Sequence, residues 1–306
     1  MFKKIVVVLV ALIFIFGCAE TKKTVKKQDT FKDVRDYSTE KYTQPKTKVA
    51  VVTFENATRF GKRRLGKNIT NILLTELKKS DRFIVLERDE VDKILDQVKL
   101  SQSGLTQGTL NKVKLLDTSY IISGAVTKYA VNTTGQKGLF TKSKTQHAEV
   151  SVDIRMIDVR TGEIVMADTG EGTAEREYKQ TMGWGSSGGY DESLEVDAFR
   201  SSVIKMMENI IKTVESKPWY CDVVKISGSK LYLNAGQKSN VKRGDTFDLY
   251  KLGEKIKDLN GRVIGRERQK VGQVKIIDFM GEDASIARYI GNRNLELPLL
   301  VRKELK

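Results

Sequence analysis

Few side chains in this sequence have the types and spacing that catalysis or metal binding requires. The single histidine, His147, has no His or Cys partner at metal-ligand spacing, and the glycines of 183–189 lack the lysine of a phosphate-binding loop. Asp89, Glu90 and Asp92 form an acidic cluster at a predicted helix start, where the helix dipole favours carboxylates. We therefore predict no enzymatic activity and no catalytic, cofactor-binding or metal site.

Cys18 is the one residue with a distinct predicted chemistry. A basic start precedes an apolar run from Ile5 to Phe16, and Gly17 stands directly before the cysteine. The run is shorter than the ~20 residues of a bilayer span and suits the core of a signal peptide. A small residue before cysteine resembles a bacterial lipobox, in which cleavage leaves the cysteine to carry acyl chains such as palmitate. We predict a signal peptide over 1–17 and lipidation of Cys18.

The residues after Cys18 predict where the protein is held. Ala19, and not aspartate, follows the cysteine, as in lipoproteins that are sorted to the outer membrane. Residues 18–46 are polar, rich in lysine and without apolar periodicity, which predicts the lipidated cysteine and a flexible tether. The predicted location is the periplasmic face of the bacterial outer membrane. With Cys18 acylated, Cys221 cannot form an intrachain disulfide, and we interpret it as a small core residue.

The charge balance limits the possible partners. The 306 residues include 54 Lys and Arg and 39 Asp and Glu, a net charge of +15. Such a balance can serve nucleic acid, anionic membrane or acidic polymers, but here the two signs are interspersed, which favours a solvated surface. A signal peptide and the lack of a basic stripe with interleaved aromatics exclude nucleic acid.

The first half of the chain alternates strand and helix patterns. A β-rich run over 48–54 precedes a helix whose apolar stripe is Ile69, Ile72, Leu73 and Leu77, and the strand at 83–86 is apolar on both faces. Further patterns predict helices at 91–98, 110–116 and 199–214, and strands at 120–126, 150–159 and 164–167. These elements predict an α/β domain over 47–216, a mixed sheet with packed helices.

The pattern changes after Pro218. Short strands alternate with turns such as Ser227-Gly228-Ser229 and Asn260-Gly261, which predicts a small all-β barrel of the SH3-like kind over 217–306. The predicted fold class is therefore α+β, with the mixed sheet followed by this barrel.

Several segments of the first domain occur in the order typical of one family. They are Val52-Thr53-Phe54-Glu55-Asn56, Phe83-Ile84-Val85-Leu86-Glu87-Arg88, Lys99-Leu100-Ser101-Gln102-Ser103-Gly104, Tyr120-Ile121-Ile122-Ser123-Gly124 and Asp158-Val159-Arg160-Thr161-Gly162-Glu163. Together they resemble the CsgG family, whose best-known member is the outer-membrane lipoprotein through which curli subunits are secreted. The resemblance implies a homo-oligomeric ring, with two hairpins from each protomer in a shared transmembrane barrel.

The segments that correspond to those hairpins are 129–148 and 172–192. A membrane strand carries apolar side chains at every second position. Tyr129 and Val131 begin such a row, but Lys142 and Lys144 stand on the return strand, and the second segment is charged on both faces. The residues alone leave open whether these hairpins cross a membrane.

The C-terminal module has its own resemblance. Asn234-Ala235-Gly236 with Val241-Lys242-Arg243-Gly244-Asp245 resembles the C-terminal module of the flagellar assembly protein FlgT. Nearby, Arg262, Arg266, Arg268 and Lys270 form either a basic strip for a partner or a solvated hairpin.

Two functions follow from these observations. The first is an outer-membrane lipoprotein of the CsgG type that acts in secretion or assembly of a surface structure by oligomerising and binding other envelope or secreted proteins. The alternative is a periplasmic, lipid-anchored protein-binding module without a pore, like LpoB activators of cell-wall synthases or flagellar accessory proteins. Both use the acylated Cys18 as the membrane attachment.

Overall fold

The computed structural model describes residues 37–86, 118–138, 141–181, 184–185, 192–257, 259, 263–292 and 294–304. Predictions for the signal peptide, Cys18, the acidic cluster after residue 88 and the helices at 91–98 and 110–116 lie outside these ranges. The last part of the predicted tether, residues 37–46, is packed against the fold, because aromatic side chains such as the buried Tyr37 belong to the core.

The parallel part of the first sheet confirms the strand–helix–strand prediction. Strand β1 (Thr47–Val51) pairs in parallel with β3 (Phe83–Val85) and with the start of β4 (Tyr120–Lys137). Helix α1 (Arg63–Lys79) connects β1 to β3 and buries the predicted apolar stripe. A two-residue strand, β2 (Glu55–Asn56), also pairs with β4.

The antiparallel part extends much further than its apolar pattern. Strand β4 continues into β5 (Thr141–Asp158) and β6 (Ile164–Thr181), each 18 residues long, and β7 (Trp184–Gly185) pairs with the end of β6. The sheet order is β3-β1-β4-β5-β6-β7. The apolar patterns predict shorter strands. The structure extends them because the outer halves of β4 and β6, although polar, are held by backbone pairing to β5.

Helix α2 (Glu192–Glu215) packs with α1 over one face of this sheet. Its close approach to β6 depends on two glycines, Gly170 and Gly172. A Cβ atom at Gly172 would lie 1.9 Å from the carbonyl oxygen of Ala198, a contact that no side chain can make. The absent side chains therefore let the helix backbone lie directly on the strand.

Six strands form the second sheet, and their pairing closes on itself in the order β10-β11-β12-β9-β8-β13. The strands are β8 (Trp219–Ser227), β9 (Lys230–Leu233), β10 (Thr246–Lys257), β11 (Val263–Met280), β12 (Ala284–Ile290) and β13 (Leu299–Lys303). Gly228 has a φ of 57° in the tight β8–β9 turn, a conformation that favours glycine. The SH3-like character of this unit and its likeness to FlgT remain predictions.

Candidate functional site

The residues selected from the sequence do not converge on a catalytic site. Cys18 lies outside the described residues, and Cys221 is buried in the core of the second sheet, as its interpretation predicted. His147 is half-exposed on β5, with Nδ1 4.0 Å from a carboxylate oxygen of Glu175. Within the described ranges, no group of three or more His, Cys, Asp or Glu side chains could hold a metal ion. No helix in the same ranges is long and apolar enough to span a membrane.

A polar cluster joins the two sheets. The Lys48 Nζ atom, at the start of β1, donates to the backbone oxygen of Asn234 at 2.6 Å and lies 2.9 Å from Asp283 Oδ2. Asp283 Oδ1 accepts hydrogen bonds from the backbone N–H groups of Gly236 and Ser239, both at 2.8 Å. Burial acts to raise the pKa of Asp283, but Lys48 and these donors outweigh it and lower the pKa below its usual range.

The segment that precedes β1 lies between the two units. The Lys46 N–H donates to the carbonyl of Ser239 at 2.9 Å, and the Lys46 carbonyl accepts from Trp219 Nε1 at 3.0 Å. Asn240 Nδ2 donates to the carbonyl of Gln44 at 2.8 Å. The path into the first strand is thus fixed by residues of the second unit.

Arg82 holds the same segment from the other side. Its buried guanidinium donates to Glu40 Oε2 at 2.7 Å and to Glu215 Oε1 at 3.0 Å. It also lies over the rings of Tyr37 and Tyr42, 4.7 and 5.1 Å from their centroids. Burial chiefly raises the pKa of Tyr42 to about 12, and Glu215 adds to that rise while Arg82 opposes it. The phenol stays neutral, so this cluster is structural.

A crevice of about 320 Å³ opens between the two units. One wall comes from the starts of β1 and β4 and from the turn at 158–161, and the other from β8, the loop at 234–239 and the β10–β11 hairpin. The Arg160 guanidinium lies 3.6 Å from the centroid of the Tyr220 ring. Burial chiefly raises the pKa of Tyr220 and of Tyr120, and a hydrogen bond joins the two phenols.

The charged residues that line the crevice are mainly positive. Its cations are Lys46, Lys48, Arg160, Lys255, Arg266 and Arg268, and its carboxylates are Asp158 and Asp222. Of the four cations that the sequence left open as a basic strip or a solvated hairpin, Arg266 and Arg268 line the crevice. Lys270 instead pairs with Asp248 at 2.6 Å, and Arg262 lies outside the described residues. No pattern in the sequence indicates the crevice, because its lining comes from segments far apart in the chain.

A second surface is formed by the outer halves of the long strands. Among the described residues, 127–137 of β4 pair only with β5, and 164–179 of β6 also pair only with β5. The structure therefore brings the first predicted hairpin, 129–148, and most of the second, 172–192, into one three-stranded extension. Both of its outer edges carry backbone groups without a strand partner.

The base of this extension is fixed to both helices by a buried carboxylate. Glu195, in the first turn of α2, is 1% exposed. It accepts two hydrogen bonds from the Arg64 guanidinium at 2.8 and 2.9 Å and one from the Tyr129 hydroxyl at 2.8 Å. A bidentate Arg–carboxylate pair is among the strongest charge-assisted contacts, so the base of the extension is held firmly.

A family model described as the curli production assembly/transport component CsgG matches residues 28–242. The chain belongs to the CsgG family. A Neisseria meningitidis serogroup B protein described as a lipoprotein, NMB1126/NMB1164, is 27% identical to this CsgG-family chain over 225 residues, which cover 70% of this chain and 95% of the relative.

Solved structures give weaker similarities to this CsgG-family chain. Lipoprotein GNA1162 from Neisseria meningitidis is 12% identical, with a TM-score of 0.29, over 56% of this chain and 99% of that one. The C-terminal domain of LpoB from Escherichia coli is also 12% identical, with a TM-score of 0.29, over 43% and 85%. The PelC dodecamer from Paraburkholderia phytofirmans is 18% identical, with a TM-score of 0.28, over 53% and 86%. TM-scores this low support no conclusion about function.

Proposed function

We propose that this CsgG-family chain is an outer-membrane lipoprotein, anchored on the periplasmic face through acylated Cys18. It takes part in secretion or assembly of a cell-surface structure by oligomerising and by binding other envelope or secreted proteins. Family membership and a relative described as a lipoprotein support the proposal. The Gly17-Cys18 pair after an apolar run supplies the attachment.

The open strand edges are the observation that best supports the proposed oligomerisation. An unpaired edge presents N–H and C=O groups to which another strand can add. The two open edges of the extension, in β4 and β6, lie on opposite sides of β5. Contact between the β4 edge of one copy and the β6 edge of the next is heterologous, and such contacts generate a ring when the rotation closes.

The polarity of the extension favours the second candidate, a tethered binding module without a pore. Its β4–β5 part pairs Gly135 with Lys144 and Lys137 with Lys142, and its β6 part carries Glu175, Arg176 and Glu177 in succession. Charge on both faces costs a lipid-exposed strand on the order of 2–4 kcal/mol per basic residue at the bilayer midplane. A surface of this kind suits contact with polar protein partners.

One experiment tests the anchor and the oligomer together. The wild-type chain is extracted from membranes in mild detergent, and its mass and bound detergent are measured by size exclusion with light scattering. It is compared with a form that lacks residues 1–17 and carries Cys18→Ala, and with Cys221→Ala in the wild-type chain as a matched control. We expect only the Cys18→Ala form to leave the membrane fraction, and all three to be oligomers.

The outcomes separate the two candidates. A detergent belt on both the wild-type and the Cys18→Ala oligomers supports the secretion channel. A Cys18→Ala oligomer that is soluble without detergent supports the tethered module. A monomer at micromolar concentration in every form overturns oligomerisation, and loss of membrane attachment in Cys221→Ala overturns the assignment of the anchor to Cys18.

A further inference from the structure

The crevice between the two units has more cations than carboxylates among its lining residues. Lys46 pairs with Asp81, and Lys48 pairs with Asp283. The remaining cations, Arg160, Lys255, Arg266 and Arg268, form no ion pair with any carboxylate in the described part of the chain. They face only two lining carboxylates, Asp158 and Asp222.

The two lining carboxylates do not cancel this charge by direct contact. Asp158 Oδ1 is occupied by its own turn, where it accepts from the backbone N–H groups of Arg160 at 2.8 Å and Thr161 at 3.4 Å. Asp222 is exposed on β8. Four cations against two carboxylates leave an excess of two positive charges, which a ligand with two negative charges would neutralise.

The walls of the crevice are suited to hold such a ligand. Arg266 uses Nε to donate to the carbonyl of Gly253 at 2.8 Å, so its two terminal amino groups remain available. Arg160 is fixed by stacking on Tyr220, which orients its guanidinium edge. Guanidinium groups match the oxygen geometry of phosphate and carboxylate, and a volume of about 320 Å³ is at the lower end of small-molecule sites.

We propose that this crevice binds a small molecule with two or more oxyanion groups, recognised chiefly by Arg160, Arg266 and Arg268. Arg266 and Arg268 line the crevice and are exposed, so an anion can enter the crevice from solvent. A crevice lined by one sign of charge concentrates counter-ions of the other sign, which favours entry. The oxyanion groups can belong to a free molecule or to the headgroup of an anionic lipid.

The test measures binding of inorganic pyrophosphate to the full chain by titration calorimetry. The test variant is R266Q/R268Q. The matched control is K275Q/R288Q, which removes two exposed cations from neighbouring strands of the same unit, outside the crevice. Circular dichroism and melting temperature confirm that each variant is folded. A single variant, Lys255→Gln, provides a milder change on the opposite strand of the hairpin.

We expect pyrophosphate to bind to the wild type and to K275Q/R288Q at one site per chain with similar Kd. R266Q/R268Q should weaken the Kd at least tenfold, and Lys255→Gln should weaken it severalfold. No saturable binding by the wild type, or an equal loss in both double variants, overturns the proposal, because the charge would then act only as a diffuse surface field.

Vesicle sedimentation separates the two sources of the oxyanion. Phosphatidylcholine vesicles with and without about a fifth of phosphatidylglycerol are mixed with each variant in the presence of pyrophosphate or buffer, in the form that lacks residues 1–17 and carries Cys18→Ala, so that no acyl chain inserts. A loss of binding to the anionic vesicles in R266Q/R268Q, but not in K275Q/R288Q, assigns the crevice to a headgroup. Equal vesicle binding by both variants, with pyrophosphate affinity still dependent on Arg266 and Arg268, assigns it to a free anion.

Discussion

The two sheets of this CsgG-family chain differ in how much of their strand edges is paired. Among the described residues, the first sheet ends in an extension in which residues 127–137 of β4 and 164–179 of β6 have no strand neighbour on one side. In the second sheet every one of the six strands has two neighbours, because β10 pairs with both β11 and β13 and the order closes. Closure pairs most of the groups to which another strand could add, and the exception is the outer part of the β10–β11 hairpin, where residues 252–257 of β10 and 263–272 of β11 have a strand partner on one side only.

Because of this difference, we expect the two units to make different kinds of contact with partners. The open sheet can extend from one copy to the next through backbone hydrogen bonds, with little demand on side-chain type. The second sheet offers a partner chiefly side chains where its order closes, and the charged side chains at the crevice are largely basic. We therefore expect assembly to depend on backbone changes in the first unit and ligand binding to depend on side-chain charge in the second.

Proline substitution on the β4 edge should have the largest effect. Neighbouring residues of an antiparallel strand direct their N–H groups to opposite sides, so one of Thr133→Pro and Thr134→Pro removes an N–H from the β5 ladder and the other from the open edge. The variant that removes the N–H of the β5 ladder should lose about 1–3 kcal/mol of stability. The other should keep its melting temperature and lose the oligomer. Light scattering measures the mass of each variant's oligomer, and thermal melting measures its stability. If both variants form oligomers of the wild-type mass, the β4 edge is not part of the assembly interface.

Gly172→Ala should destabilise the first unit by about 1–3 kcal/mol, because the new Cβ displaces α2 from β6. The measurement is urea unfolding followed by circular dichroism. Gly135→Ala is the matched control on β4, since its Cβ would lie 3.7 Å from the Ser143 carbonyl, an ordinary contact. Equal midpoints for the two variants would mean that the helix does not need the glycine.

Lys48→Met should weaken the attachment between the two units by about 1–2 kcal/mol, since it removes the positive charge beside Asp283 and the hydrogen bond to the Asn234 carbonyl. Limited proteolysis at the junction should become faster. Lys251→Met is the control, because its ion pair with Glu296 is largely exposed and contributes little. A proteolysis rate unchanged in Lys48→Met would show that the remaining contacts hold the units together by themselves.

The smallest expected effect is a dependence of stability on pH through Asp283. Its pKa is lowered in the folded chain, so it stabilises the fold at pH values above the unfolded pKa of about 3.9, and the contribution is lost as pH falls through the lower folded value. The stability difference between wild type and Asp283→Asn should be constant from about pH 7 to 5 and shrink below about pH 4. Urea unfolding at several pH values measures it, and a difference that persists unchanged in acid would contradict this role.

The sequence was most informative where burial creates a pattern. The stripe of Ile69, Leu73 and Leu77 predicted α1, and all three are buried. The apolar patterns predicted β4 only to Val126, although it continues to Lys137, because the outer residues are polar and lie in a strand solely through pairing with β5. Only the resemblance to the CsgG family indicated a hairpin there.

The crevice could not be predicted for a different reason. Lys255, Arg266 and Arg268 alternate with polar residues on a hairpin, a pattern typical of a solvated surface. They lie in one crevice with Arg160 only because of the way the two units are joined. One contact of that junction is between Lys48 and the backbone of Asn234, 186 residues later in the sequence. A pattern in a short window contains no information about such a junction.

The segment before β1 gives the junction a mechanical consequence. Residues 40–46 are held by Arg82 on one side and by Ser239 and Asn240 on the other, so the chain enters the fold between the two units. Tension applied from the N-terminal side therefore falls on the packing of Tyr37 and on the contacts that hold residues 40–46 to both sheets before it reaches β1. If the proposed lipid holds this end of the chain at a membrane, a force between the membrane and a bound partner acts on the contacts between the two sheets.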